Sequence, residues 1–130
     1  MRFLSIYKCV ETNAPPSPEE MAEMGAFVEE AMASGAVLAT EGCLPTSAGA
    51  RIRRAGDSVT VTDGPFTEAK EVIGGFAILQ ADSLEEAIEM GRRFIAVAGD
   101  GECEIRRLYE PGDFDAACVT HADLQAATAN

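Results

Sequence analysis

A chain of 130 residues is long enough for one folded core and short for two. With 47% hydrophobic residues it reads as globular. A net charge of −12 excludes a general binder of nucleic acid or anionic membrane, because neutralising phosphates needs clustered cations.

Residues 3–10 are apolar, with β-branched and aromatic members, and predict a first, central strand. A loop over 11–16 leads into Ser17-Pro18-Glu19-Glu20, a strong helix start. Ser17 is the N-cap, Pro18 takes the first helical position and Glu20 completes a capping box. Met21, Met24, Val28 and Ala31 or Met32 recur at steps of three and four, a stripe read as core filling rather than a cofactor box. Gly35 ends this helix. Residues 37–40 form a short second strand, closed by Glu41-Gly42 and Pro45. After a small, polar loop, residues 51–54 and 59–62 form the arms of a hairpin turning at Ala55-Gly56-Asp57. Asp63-Gly64-Pro65 stops the second arm, since Pro65 lacks an N–H and pushes Gly64 out of the α region. A charged segment, Thr67 to Glu71, precedes the longest strand, 72–81, in which Gly74-Gly75 marks a bulge or a close backbone approach. Ser83 and Glu86 repeat the capping device, and the second helix sets Leu84, Ala87, Ile88, Gly91 and Phe94 or Ile95 on one face. Residues 98–101 break it and 102–109 form the closing strand. The segment 111–130 is a tail in which Thr120-His121-Ala122-Asp123 caps a short helix anchored by Leu124, either loosely ordered or docked on a partner subunit.

Each half therefore reads strand, helix, strand, the arrangement that a ferredoxin-like split β-α-β domain requires, here with an inserted β-hairpin over a domain of residues 1–110. The class is α+β. Helices on one face leave the other face of the sheet bare, and pairing two such sheets into a dimeric α/β barrel covers it.

The chemistry-bearing residues gather around 63–71, where Asp63, Glu68 and Glu71 lie near Lys70, with Glu41 approaching from the second strand. Two readings stand. A carboxylate beside a lysine in a cleft acts as a general base or holds a polar ligand; alternatively Asp63 bonds the N–H groups of its own turn and Lys70 pairs with a surface glutamate. Gly64 suits a turn that needs a positive φ, and Phe66 is expected in the core or a dimer interface, aiming Asp63 into a cleft. Metal and cofactor are not expected: His121 is the only histidine and has no Cys or His at a ligand spacing. Ser-His-Asp and Cys-His catalysis lack a base for the same reason. The arginine groups at 51/53/54, 92/93 and 106/107 read as solvated faces. Cys9, Cys43, Cys103 and Cys118 form no C-x-x-C pair, no secretory signal is visible, and no apolar run approaches a membrane span, so the expectation is a cytoplasmic protein with free thiols.

The segment VTDGPFTEAKE resembles the signature of the DGPF family, a branch of the YCII-related proteins. The similarity runs over residues 2–116 through SPEE, the E-G-x-x-P turn at Glu41, GARIR, ADSLEEA and EIRRLYE. The resemblance implies a ferredoxin-like domain that pairs into a dimeric barrel. It also implies a link to extracytoplasmic-function sigma factors, and so an accessory regulatory module or a binder of a small polar ligand. The ligand-binding candidates are Asp63, Gly64, Pro65, Phe66, Lys70 and Glu41. Two family histidines are missing: Glu20 stands where the wider family has a histidine in P-E-H, and Leu44 where many DGPF proteins have one before the proline. A histidine-dependent reaction is therefore not expected. The competing readings are an enzyme using Asp63 or Glu41 as acid or base, and a structural dimer without a ligand.

Overall fold

The computed structural model describes residues 1–12 and 14–115. The tail helix expected near Thr120, with Cys118, His121 and Leu124, lies outside the described residues. The elements are β1 (Arg2–Cys9), α1 (Pro18–Ala33), β2 (Val37–Gly42), β3 (Ala50–Ala55), β4 (Ser58–Asp63), β5 (Val72–Gln80), α2 (Leu84–Ala98) and β6 (Glu102–Arg107), with short 3-10 turns at Thr46–Ala48 and Pro111–Asp115. Four strands form an antiparallel sheet in the order β2-β5-β1-β6, and β3 and β4 form a separate two-stranded ribbon. This is the ferredoxin-like α+β fold with a hairpin inserted between β2 and β5.

Both helices start where their side chains satisfy orphan N–H groups. Ser17 Oγ accepts from Glu20 N–H and Ser83 Oγ from Glu86 N–H, each at 3.1 Å. The Glu86 carboxylate in turn accepts from Asp82 N–H at 3.0 Å, one residue ahead of the N-cap. Ser34 is the C-cap of α1, and Gly35 follows with φ 82°, a conformation that costs glycine little.

Alternation along β1 sorts the sheet into two faces. Phe3, Ser5 and Tyr7 stand opposite Leu79, Ala77 and Gly75 on the face beneath the helices. Leu4 and Ile6 stand opposite Ile78 and Phe76 on the other. At Gly74 the ladder slips, since Tyr7 faces Gly75 while Lys8 already faces Ile73, so the expected bulge is present. The core is small: Phe3, Leu79, Ala81 and Ala87 are buried, with Val37, Ala77, Met90 and Ile105 packed on them. In α2, Ala87 and Gly91 are buried, whereas α1 has no buried residue. The outer sheet face carries Leu4, Ile6, Phe76 and Ile78 beside an ion pair of Lys8 with Glu104 at 2.9 Å, and neither helix covers it. Among the described residues no helix is long and apolar enough to cross a membrane.

Candidate functional site

The Asp63-Gly64-Pro65-Phe66 turn is clamped to the loop that follows β2. Gly64 N–H donates to Gly49 O at 3.0 Å, and the Gly64–Pro65 peptide is cis. A Cβ on Gly64 would fall 1.7 Å from the Thr46 carbonyl oxygen. Gly64 is not among the residues of positive φ, so the expected reason for a glycine is corrected: two backbones meet here, and a side chain has no room. Thr46 is the hub. Its hydroxyl accepts from Phe66 N–H at 3.1 Å and donates to one oxygen of Glu11 at 2.7 Å, while its own N–H donates to the other. The Thr46 N–H and then its hydroxyl hold the Glu11 carboxyl below its ordinary value. Phe66 is half-buried and lies outside the core cluster, under the Arg51 guanidinium 3.8 Å from its ring centroid. Arg51 also pairs with Glu68, whose carboxyl is lowered by its own backbone N–H and then by Arg51.

The charged cluster expected around this turn does not assemble. Asp63 is exposed at the base of the hairpin opposite Ala50, and Lys70 is exposed without an ion-pair partner among the described residues. Glu41 sits in β2 opposite Phe76, and no hydrogen bond or ion pair among the described residues joins it to Asp63 or Lys70. Lys70 does not take a surface glutamate; Arg51 takes Glu68 instead. Gly64, Pro65 and Phe66 serve the clamp.

A cleft of about 1030 Å³ opens elsewhere, between α1, α2 and the sheet. Its floor is made of small residues. Ser5, Gly75 and Ala77 face the helices from the central strands, and a Cβ on Gly75 would come 2.8 Å from Glu41 O. Met21, Met24 and Val28 of α1 and Met90, Phe94 and Val97 of α2 line the opposite side. The stripe read from the sequence as core filling thus borders a hollow, because the sheet sends up too little side-chain volume to meet it. The polar groups are few. Tyr7 meets Phe94 edge-on at 5.4 Å and its hydroxyl donates to Asp100 O at 2.8 Å; burial, then the Cys9 thiol, pushes that hydroxyl above its ordinary range. Thr40 Oγ1 donates to Phe76 O at 2.9 Å. Glu20, Glu30 and Glu41 contribute carboxylates to the lining and Arg93 a cation. Of the six residues singled out in the sequence, Glu41 alone borders the cleft; the turn of residues 63–66 and Lys70 do not. Among the described residues no cluster of His, Cys, Asp and Glu could hold a metal ion.

An antiparallel split β-α-β sheet with two helices on one face and a ligand-sized hollow between them defines a small α+β domain with an internal cleft. The chain belongs to the YCII-related domain family, whose sequence model matches residues 1–110. It is 38% identical over 73 residues to a protein of unassigned function from Rhizobium meliloti (strain 1021), a match covering 54% of this chain and 59% of that relative's length. In fold it is similar to 5-chloro-2-hydroxyhydroquinone dehydrochlorinase from Burkholderia phenoliruptrix AC1100, solved with 2,5-dihydroxybenzoquinone. The TM-score is 0.50 at 19% identity, covering 87% of this chain and 98% of that one.

Proposed function

We propose that this YCII-related protein binds a small molecule in the cleft between α1, α2 and the sheet. The observation that carries the reading is the floor of Ser5, Gly75 and Ala77 beneath a helix with no buried residue. A volume of about 1030 Å³ stands at the upper end of ligand pockets, and mostly apolar walls with a few polar groups are their usual lining. Tyr7 and Thr40 have spent their protons on backbone carbonyls, so their oxygens are left to accept from a ligand donor. Three carboxylates against one cation disfavour an anion. The ligand class is a neutral or cationic molecule, apolar in body, with one or two hydrogen-bond donors. This moves the site from the charged turn, where the sequence suggested it, to the cleft that Glu41 borders.

A thermal-shift screen of metabolites tests the reading, since a ligand at a hundred times its dissociation constant adds about 2.7 kcal/mol. Ala77→Leu, which fills the floor, is expected to fold and to lose the shift given by every hit. Hits that stabilise Ala77→Leu as much as wild type would place the site outside the cleft. The second reading is a carboxylate enzyme, supported by Glu41 in the lining. Under it, Glu41→Gln keeps the ligand shift and stops conversion of the ligand. The sigma-factor link implied by the resemblance gains no support from the fold or the relatives. We also read the protein as a homodimer paired through the outer sheet face, on the strength of the uncovered Leu4, Ile6, Phe76 and Ile78.

A further inference from the structure

Four hydroxyls line the cleft, on Ser5, Tyr7, Ser34 and Thr40. A hydroxyl offers one proton and two lone pairs, so where its proton goes decides what it can still recognise. Tyr7 donates to Asp100 O, Ser34 to Ala31 O and Thr40 to Phe76 O. Ser5 is the exception. Among the described residues, the polar group within hydrogen-bond reach of its hydroxyl is the Cys103 thiol. Burial pushes that thiol up, and the Ser5 hydroxyl pulls it partly back. Sulfur is a weak partner for an O–H.

The position of Ser5 gives the exception its meaning. At 8% exposure it is the one buried polar side chain among the described residues. A hydroxyl buried beside so weak a partner costs stability that alanine there would not. Ser5 and Thr40 both stand opposite Ala77, one on each side, which sets their Cα atoms two strand spacings apart, about 10 Å. The remaining side-chain donor in the lining, the Arg93 guanidinium, belongs to an exposed residue. The floor therefore holds one hydroxyl donor, with acceptors on Thr40 across the sheet and on Tyr7 two residues along β1.

We infer that Ser5 is the specificity-determining residue of the cleft, and that its hydroxyl donates to a carbonyl oxygen of a neutral ligand. The inference rests on the cleft reading above and adds an acceptor to the donors that Tyr7 and Thr40 can receive. A carboxylate is disfavoured in that place, because Glu20, Glu30 and Glu41 stand in the lining against one cation. The ligand class narrows to an apolar body with a carbonyl at one end and a hydroxyl at the other.

The test compares 6-hydroxy-1-tetralone with 5,6,7,8-tetrahydro-2-naphthol, which keeps the skeleton and the hydroxyl and has a methylene in place of the carbonyl. Each is titrated, at a pH where both phenols are neutral, into wild type and Ser5→Ala labelled with ¹³C at the methionine methyls. The Met24 and Met90 signals report entry into the cleft. Wild type is expected to bind the ketone about tenfold more tightly than its carbonyl-free twin, the size of one buried hydrogen bond. Ser5→Ala should bind the two equally. The infrared carbonyl stretch of the bound ketone is a second readout, expected at lower frequency in wild type than in hexane. Equal affinity of wild type for the two compounds, an unshifted carbonyl stretch, or a preference that survives Ser5→Ala overturns the inference and leaves the cleft standing. If neither compound moves Met24 or Met90, the inference and the cleft reading fall together.

Discussion

Thr46 joins three stretches that are distant in the chain, and single residues around it decide whether the turn forms. Gly64→Ala sets a methyl against the Thr46 carbonyl at a separation no structure tolerates, so backbone must move. Overpacking of this kind costs about 1–3 kcal/mol, and the urea midpoint should fall accordingly; an unchanged midpoint would remove the close approach from the account. Glu11 makes a pH-dependent contribution. Folding lowers its carboxyl from an ordinary value of 4.5, so its two bonds to Thr46 stabilise the fold above that value. The contribution is lost as pH falls through the lower folded value. Glu11→Gln should therefore be less stable than wild type at neutral pH, with the gap closing as acidification protonates the Glu11 carboxyl below its ordinary value; a gap that widens on acidification would contradict the assignment. Neither residue announced its role in the sequence. Gly64 before a proline suggested a special φ, and Glu11 looked like an ordinary loop residue, because their partner Thr46 is supplied by tertiary structure and no local pattern encodes it.

Elements were legible where local chemistry decides them. Ser17 and Ser83 cap their helices because a short hydroxyl three residues ahead of a glutamate satisfies N–H groups in any surroundings. Ser83→Ala should cost about 0.5–2 kcal/mol and Ser83→Gly only a few tenths, readable as a drop in Tm; a Tm unchanged by Ser83→Ala would mean that the hydroxyl bond contributes nothing. The hairpin was legible from its turn, and the bulge from Gly74-Gly75. The hollow under α1 was not. Its floor depends on which residues of β5 face inward, and the slip at Gly74 fixes that parity through pairing with β1, a strand far away in sequence. Read alone, the Met21–Met24–Val28 stripe has the spacing of a filled core. Only the register shows that Gly75 and Ala77, the smallest residues available, lie across from it.

At the scale of the molecule, the outer sheet face and the cleft make separate demands. Leu4, Ile6, Phe76 and Ile78 form an apolar patch on a sheet that helices cover from one side only. Wild type should sediment as a dimer at micromolar concentration, and Ile78→Lys should sediment as a monomer with unchanged circular dichroism; a dimer that survives Ile78→Lys would move the interface off this face. The methionines that border the cleft report on its occupancy directly. Met21, Met24 and Met90 line the hollow, while Met1 and Met32 do not. In protein labelled with ¹³C at the methionine methyls, titration with a hit from the thermal-shift screen should move the Met21, Met24 and Met90 resonances together and leave Met1 and Met32 in place. Movement confined to Met1 or Met32, or a stabilising ligand that moves none of the five, would contradict a site between α1, α2 and the sheet.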